Sequence, residues 1–271
     1  MAAVRRVMKT GVGPYRLKCL ALAATLAACV LSSCSSTDDP TWNRIQETET
    51  LMVGMDASFP PFESIDADGS LFGFDVDLAR ELSSRLDVTP RFIANLPYDG
   101  LYDALTAGRV DIVISALVVA PSQTGDYAYS SVYFDAGYVL VARAGEETAS
   151  SMNDLGGHSL AVALGTEGDR EARRWARRLA DLDIVQYDTP VEALEALVAG
   201  ETDLALVDRV SALLAPGKGQ HVQIVGDPVT EVPYACAVRR ESKQLLEAVD
   251  EALQAMEEDG TMDELFSTWL R

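Results

Sequence analysis

Two stretches of this chain, 92 residues apart, nearly repeat each other. Ala104-Leu-Thr-Ala-Gly108-Arg-Val-Asp111-Ile-Val-Ile114 is echoed by Ala196-Leu-Val-Ala-Gly200-Glu-Thr-Asp203-Leu-Ala-Leu206. Each copy reads as the end of a helix, a glycine just past it, and a buried strand. Ahead of the second copy, Thr189-Pro190-Val191-Glu192 supplies an N-cap, a proline at the first helical position and a capping-box glutamate. Asp99 serves the first copy less completely. Solenoids repeat at much shorter periods. The echo therefore predicts an α/β chain of two similar lobes, each a mostly parallel sheet flanked by helices. The length of 271 residues accommodates that arrangement.

Other elements fit the same plan. Leu51-Met52-Val53, Arg91-Phe92-Ile93 and Ser159-Leu160-Ala161-Val162 read as strands. Asp75 is placed to cap a helix running through Leu78, Leu82 and Leu86. Thr166 precedes a helix over about 168–179. Two final helices, 243–258 and 262–270, are separated by Asp259-Gly260.

The first 34 residues read as a processing segment. A basic stretch ending at Lys18 precedes the apolar run Cys19 to Leu31, which is too short to span a membrane. Leu31-Ser32-Ser33-Cys34 resembles the lipobox at which bacterial lipoproteins are cleaved and acylated. Leu26-Ala27-Ala28-Cys29 fits the same pattern, but Cys34 is preferred, because the apolar run continues past Cys29 and a polar tether begins after Cys34. Arg5-Arg6 also hints at twin-arginine export. Residues 1–33 hold five basic residues and no acid, so their removal takes the formal net charge from −20 to −25. Such a surface repels nucleic acid. Cys236 then stands without a thiol partner in an apolar strand and reads as a buried inert thiol.

The segment from Leu51 to Leu78, LMVGMDASFPPFESIDADGSLFGFDVDL, carries the clearest site signal. A strand ends at Gly54, and the loop beyond it presents Asp56 and Phe59 around Pro60-Pro61, with Phe62 read as core. Prolines fix φ and cannot continue a central strand, so the loop is preshaped for a small molecule. Asp66-Ala67-Asp68-Gly69 is turn chemistry. It begins like a calcium loop but lacks the required glutamate.

This pattern resembles the family-3 solute-binding proteins, the periplasmic or lipoprotein receptors of polar amino-acid ABC transporters. The resemblance extends from about Leu51 to the C-terminus and rests on motifs in order: DASFPPF, GFDVDLA, PYDGLYDAL, AGRVDIVISAL, YSSVYF, LGTEG, AGETDLALVD and DGTMDELFSTWL. It implies a type II periplasmic-binding-protein fold in which the chain crosses between lobes near Gly137 and Pro233. The expected organisation is a signal peptide over 1–33, a lipidated Cys34 with a flexible tether over 34–50, lobe 1 over 51–136 and 234–271, and lobe 2 over 137–233. The implied function is an extracytoplasmic, lipid-anchored and monomeric receptor. It would deliver an amino acid, or a cationic amino-acid-like solute, to the transmembrane subunits of a permease, without cofactor or metal.

By the same resemblance, Asp56, Phe59 and Tyr98 form the lobe 1 wall, the two rings sandwiching the ligand's side chain. Ser115 and Gln123 follow on the Asp111 strand and the loop after it. Asp208 matches the acid that binds an α-ammonium. Thr166 matches the loop whose amides and hydroxyl hold a carboxylate, a natural role for a helix N-terminus. The chain departs from the pattern at one place. Relatives carry Thr-x-x-Arg after the Asp111 strand, and the arginine clamps the ligand's carboxylate. Here the sequence is Ala120-Pro121-Ser122-Gln123. Val118 replaces a usual Ser or Thr, Ala116 a usual Gly or Ser, and Glu167 adds an acid. Either the ligand lacks a free carboxylate and is held by rings and acids, or Gln123 and backbone amides bind a carboxylate neutrally.

An enzyme is the alternative from another class, since some relatives are dehydratases, and a stand-alone ligand sensor is a third. The sequence holds no G-x-S-x-G, H-E-x-x-H or CxxC motif. His158 and His221, the only histidines, lie in a turn and a glycine-rich loop.

Overall fold

The computed structural model describes residues 39–146 and 149–271. The expected signal peptide, Cys29 and the lipidation site Cys34 lie outside the described residues. Residues 39–271 pack as one unit. It opens with α1 (Pro40–Thr48), β1 (Thr50–Gly54), a three-stranded hairpin sheet of β2 (Ser58–Phe59), β3 (Glu63–Ile65) and β4 (Leu71–Phe72), then α2 (Phe74–Arg85) and β5 (Thr89–Ile93). Next come α3 (Leu101–Thr106), β6 (Ile112–Val113), β7 (Tyr127–Asp135), β8 (Tyr138–Arg143), β9 (Ser159–Ala163), α4 (Glu167–Ala176) and β10 (Asp183–Tyr187). The remainder is α5 (Pro190–Ala199), β11 (Leu204–Asp208), α6 (Arg209–Leu214), β12 (Val222–Val225), β13 (Pro233–Arg239), α7 (Lys243–Asp259) and α8 (Thr261–Trp269).

Two five-stranded sheets follow one plan. The first runs β5-β1-β6-β13-β7 and the second β10-β9-β11-β8-β12. In both, the first two pairings are parallel and the last two antiparallel. The sheets are therefore mixed rather than mostly parallel. The sequence echo falls on α3–β6 and α5–β11, which occupy the same position in each sheet. The antiparallel halves arise because β7 runs directly into β8 of the other sheet, and β13 returns to the first after β12. At the first crossing, Asp135 Oδ1 accepts from the N–H groups of Gly137 and Val232. A Cβ on Gly137 would fall 1.8 Å from the Thr230 carbonyl oxygen, so the two connecting segments touch backbone to backbone.

Each sheet buries both faces. In the second, Leu140, Leu160, Val162 and Leu206 pack on one side, and Val139, Val141, Ala161 and Ala205 on the other. This is the period-2 alternation of a strand covered on both faces. In the first, Phe62 is fully buried and meets the rings of Phe74, Phe134 and Tyr234 edge-on at 5.3–6.0 Å. Aromatic pairs favour that geometry.

Two local expectations change. Residues 34–50 were expected to be a flexible tether, but the chain is helical from Pro40. Asp39 begins that helix, its Oδ1 accepting from the Trp42 N–H at 3.0 Å. Its Oδ2 accepts from the N–H groups of Gln244 and Leu245, so the same carboxylate also caps α7. Second, Asp75 is not a helix cap. Gly73, at φ +130°, occupies the N-cap position, and a Cβ there would lie 2.2 Å from the Phe62 carbonyl oxygen. Asp75 lies in the first turn, fully buried. Around α5 the expected N-cap forms, Thr189 Oγ1 accepting from the Glu192 N–H, while Glu192 reaches one residue beyond the cap to the N–H of Asp188 rather than closing the box on Thr189.

Candidate ligand-binding site

Just beyond the C-terminal ends of β1 and β6 lies a cavity of about 290 Å³, lined by Asp56, Ser58, Phe59, Glu63, Tyr98, Ser115, Ala116, Val118 and Tyr234. Open α/β sheets generally bind ligands at that end. The loop after β1 supplies Asp56, and its shape is set by what lies beneath it. Phe59 stacks on Phe62 with ring centroids 5.8 Å apart and planes 9° from parallel. Buried Phe62 thus holds Phe59 up at the cavity edge, where it remains 47% exposed. The Pro60–Pro61 bond between them is cis. Tyr98, 43% exposed, stands in a 3₁₀ turn ahead of α3.

Asp56 ties these pieces together. Its Oδ1 accepts from the Ser58 hydroxyl at 2.7 Å, and its Oδ2 from the Tyr98 N–H at 3.0 Å. Its own N–H donates to Ser115 Oγ at 3.0 Å, and the Ser115 hydroxyl donates to Glu63 Oε1 at 2.7 Å. The Tyr98 hydroxyl accepts from the Val118 N–H at 3.3 Å. Val118 pairs in an isolated bridge with Tyr234, at the start of β13. The site is thus held by the first sheet, its hairpin and its returning strand.

The lining includes two carboxyl groups and no lysine, arginine or histidine. Burial, followed by the neighbouring Asp75, pushes the Glu63 carboxyl far above the ordinary carboxylate range. Burial raises Asp75 as well, opposed by hydrogen bonds from the Ala116 N–H and the Tyr133 hydroxyl. Burial also raises the Tyr98 and Tyr234 phenols, so both stay neutral donors. The walls offer an acid and aromatic faces to a cation.

The cavity brings together four of the seven residues expected from sequence: Asp56, Phe59, Tyr98 and Ser115. The other three do not line it. Gln123 ends the 3₁₀ turn Pro121–Gln123, its N–H bonded to the Ala120 carbonyl. Thr166 and Asp208 belong to the second sheet's side. Thr166 caps α4, its Oγ1 accepting from the Asp169 N–H. Asp208 caps α6, accepting from both the N–H and the hydroxyl of Ser211. It nevertheless acts electrostatically on the Tyr234 phenol, which lines the cavity. Sequence reasoning missed Glu63, Ser58 and Tyr234. Glu63 follows Phe62 directly, and no local motif marks it as a site residue. Tyr234 adjoins the expected crossing at Pro233, a signal that could have found it.

The model of the bacterial extracellular solute-binding proteins, family 3, matches residues 51–271. The chain belongs to this family. The L-cystine-binding protein TcyJ of Escherichia coli (strain K12) is 30% identical over 238 residues, 87% of this chain and 88% of that protein. Among solved structures, an ancestral cationic amino acid solute binding protein superposes with TM-score 0.65 at 31% identity, covering 85% of this chain and all of that one. An ancestral cyclohexadienyl dehydratase superposes with TM-score 0.72 at 26% identity, over 84% and 95% of the two chains. The family-3 chain thus has the type II periplasmic-binding-protein fold, and its family is extracytoplasmic. Among the described residues, no helix is long and apolar enough to cross a membrane.

Proposed function

We propose that this protein is the capture subunit of an ABC importer for an amino acid or amino-acid-like solute bearing a cationic group. The observation that carries this reading is the cavity wall: the Asp56 carboxylate in the same lining as Phe59 and Tyr98, with no basic side chain among them. A solute's cationic end rests there, its charge met by Asp56 and its apolar stem by the rings. The two sheets define lobes that close on the solute by hinge motion at the crossings near Gly137 and Pro233. Closure brings Asp208 and the Thr166 turn to the other side of the solute, and the closed form docks on the permease. Gln123 in place of an arginine leaves neutral donors for any carboxylate. The names of similar proteins, which bind cystine or cationic amino acids, support this solute class.

The protein acts as a receptor rather than an enzyme, and as a monomer acylated on Cys34. The likeness to an ancestral dehydratase gives the enzyme reading its test, turnover of prephenate or arogenate. The receptor reading is tested by calorimetric titration of the purified protein with L-arginine, L-cystine, amines, betaines and acidic amino acids. Cationic solutes are expected to bind, and Asp56→Asn to weaken them by at least about tenfold, the cost of one charge-assisted hydrogen bond. Binding confined to acidic amino acids overturns the assignment. For the anchor, Cys34→Ala is expected to move the protein from the membrane fraction to the soluble one.

A further inference from the structure

Beneath the cavity lie two carboxyl oxygens with no donor. Glu63 is 1% exposed and Asp75 fully buried. Glu63 Oε1 accepts from the Ser115 hydroxyl, and Asp75 Oδ2 accepts from the Ala116 N–H and the Tyr133 hydroxyl. The other oxygen of each, Glu63 Oε2 and Asp75 Oδ1, is buried without a partner; among the described residues only Thr202 Oγ1 shares that condition. Two orphaned acceptors in one buried place are costly. The Asp75 N–H donates to the Phe62 carbonyl at 2.8 Å, and the sequence neighbours Ser115 and Ala116 each bond one of the two carboxyls, so Glu63 and Asp75 converge closely enough to act on each other.

We infer that Glu63 carries a proton on Oε2 and donates it to Asp75 Oδ1, making Glu63 a neutral positioning residue for the cavity wall. One proton satisfies both orphans. It completes a chain from the Asp56 N–H through the Ser115 hydroxyl to Glu63, and on through Asp75 to Ala116. The loop bearing Asp56 is thereby fastened to the turn after β6. The groups facing the pair are Asp56 on the loop after β1, Tyr98 ahead of α3, Tyr133 on β7, and Tyr234 and Cys236 on β13. None is a base, so nothing in this set favours a second buried negative charge, and like charges at such range do not both ionise. The cavity lining then carries one formal negative charge, on Asp56, with the Asp75 carboxylate buried beneath it, and the wall as a whole suits a cationic group. This last step rests on the function proposed above.

Glutamine is the neutral mimic of a protonated glutamate: its amide donates where the acid does, and its carbonyl accepts from Ser115. Infrared spectroscopy near neutral pH is expected to show a protonated-carboxyl stretch in the wild type that is lost in Glu63→Gln. It should be lost also in Asp75→Asn, whose amide donates to Glu63 and removes the need for the proton. Glu63→Gln should keep the thermal midpoint close to that of the wild type. Glu63→Leu, which orphans Asp75 and Ser115, should lower the midpoint and weaken L-arginine by at least about tenfold. Across mildly acidic to mildly alkaline pH, wild-type stability should fall as pH rises, and Glu63→Gln should flatten that slope. A wild type without the protonated-carboxyl stretch, or glutamine as damaging as leucine, overturns the inference. If L-arginine binds neither protein, the solute assignment fails while the infrared band and thermal midpoints still decide the proton.

Discussion

At the scale of single residues, neighbours in sequence take opposite parts. Phe62 is enclosed by three rings and Phe59 stacks on its outer face, half-exposed. Phe62→Ala should cost about 3–5 kcal/mol of stability, the usual range for emptying a buried aromatic site. Phe59→Ala should cost no more than about 1 kcal/mol but weaken solute binding. Denaturant unfolding beside calorimetric titration separates the two effects. Ala116 stands at φ +41°, a region that costs a residue with a Cβ about 1 kcal/mol or more. Its N–H must reach Asp75, which holds it there. Ala116→Gly should relieve that strain and, after glycine's entropic penalty, stabilise by about 0.5 kcal/mol; a loss of stability would contradict this. Phe62 as core was legible from the proline-framed loop, while Asp56, Phe59 and Tyr98 as a wall came from the family resemblance; the cavity lining includes all three. The Glu63–Asp75 pair was not. A charged residue two places into a helix reads as a cap, and only the third dimension shows Asp75 turned inward beneath Glu63.

At the scale of elements, the clearest case is Asp39. One carboxylate caps α1 with one oxygen and α7 with the other. The helix it begins is held further by Arg44 paired with Asp111, and by Thr41 bonded to Arg239 and Ser242. Asp39→Ala should therefore cost about 2 kcal/mol, roughly twice the cost of Thr189→Ala, which uncaps α5 alone. Equal losses in denaturant unfolding would show that the second cap contributes nothing. The Asp39-Pro40 start signal of α1 was present in the sequence, but its partners are supplied by Asp111, Arg239 and Ser242, distant in the chain. A helix of nine residues is marginal by itself, so only those contacts distinguish it from a tether. By contrast, α5 carried its cap, proline and glutamate locally and was readable throughout.

At the scale of the molecule, the sequence echo located the two lobes but not the antiparallel half of each sheet. The echo covers only one helix and one strand, and the remaining pairings depend on where the chain crosses. Those crossings touch at Gly137, where any side chain meets the Thr230 carbonyl. Gly137→Ala should destabilise by at least about 2 kcal/mol and alter solute affinity through the hinge, measured together by thermal unfolding and titration. A change in stability alone would place the strain outside the closing motion.

The return of β13 to the first sheet also orders events in time. Among the described residues, β7 pairs in the sheet only with β13, a strand drawn from the last fifth of the chain. The second sheet, by contrast, is built wholly from residues between 138 and 225. Contacts so far apart in sequence form slowly. A chain still being synthesised can complete its middle lobe early, while its beginning waits for its end. The lobe that carries the Asp56 wall therefore closes last, when residues 233–239 arrive to fill the gap between β6 and β7.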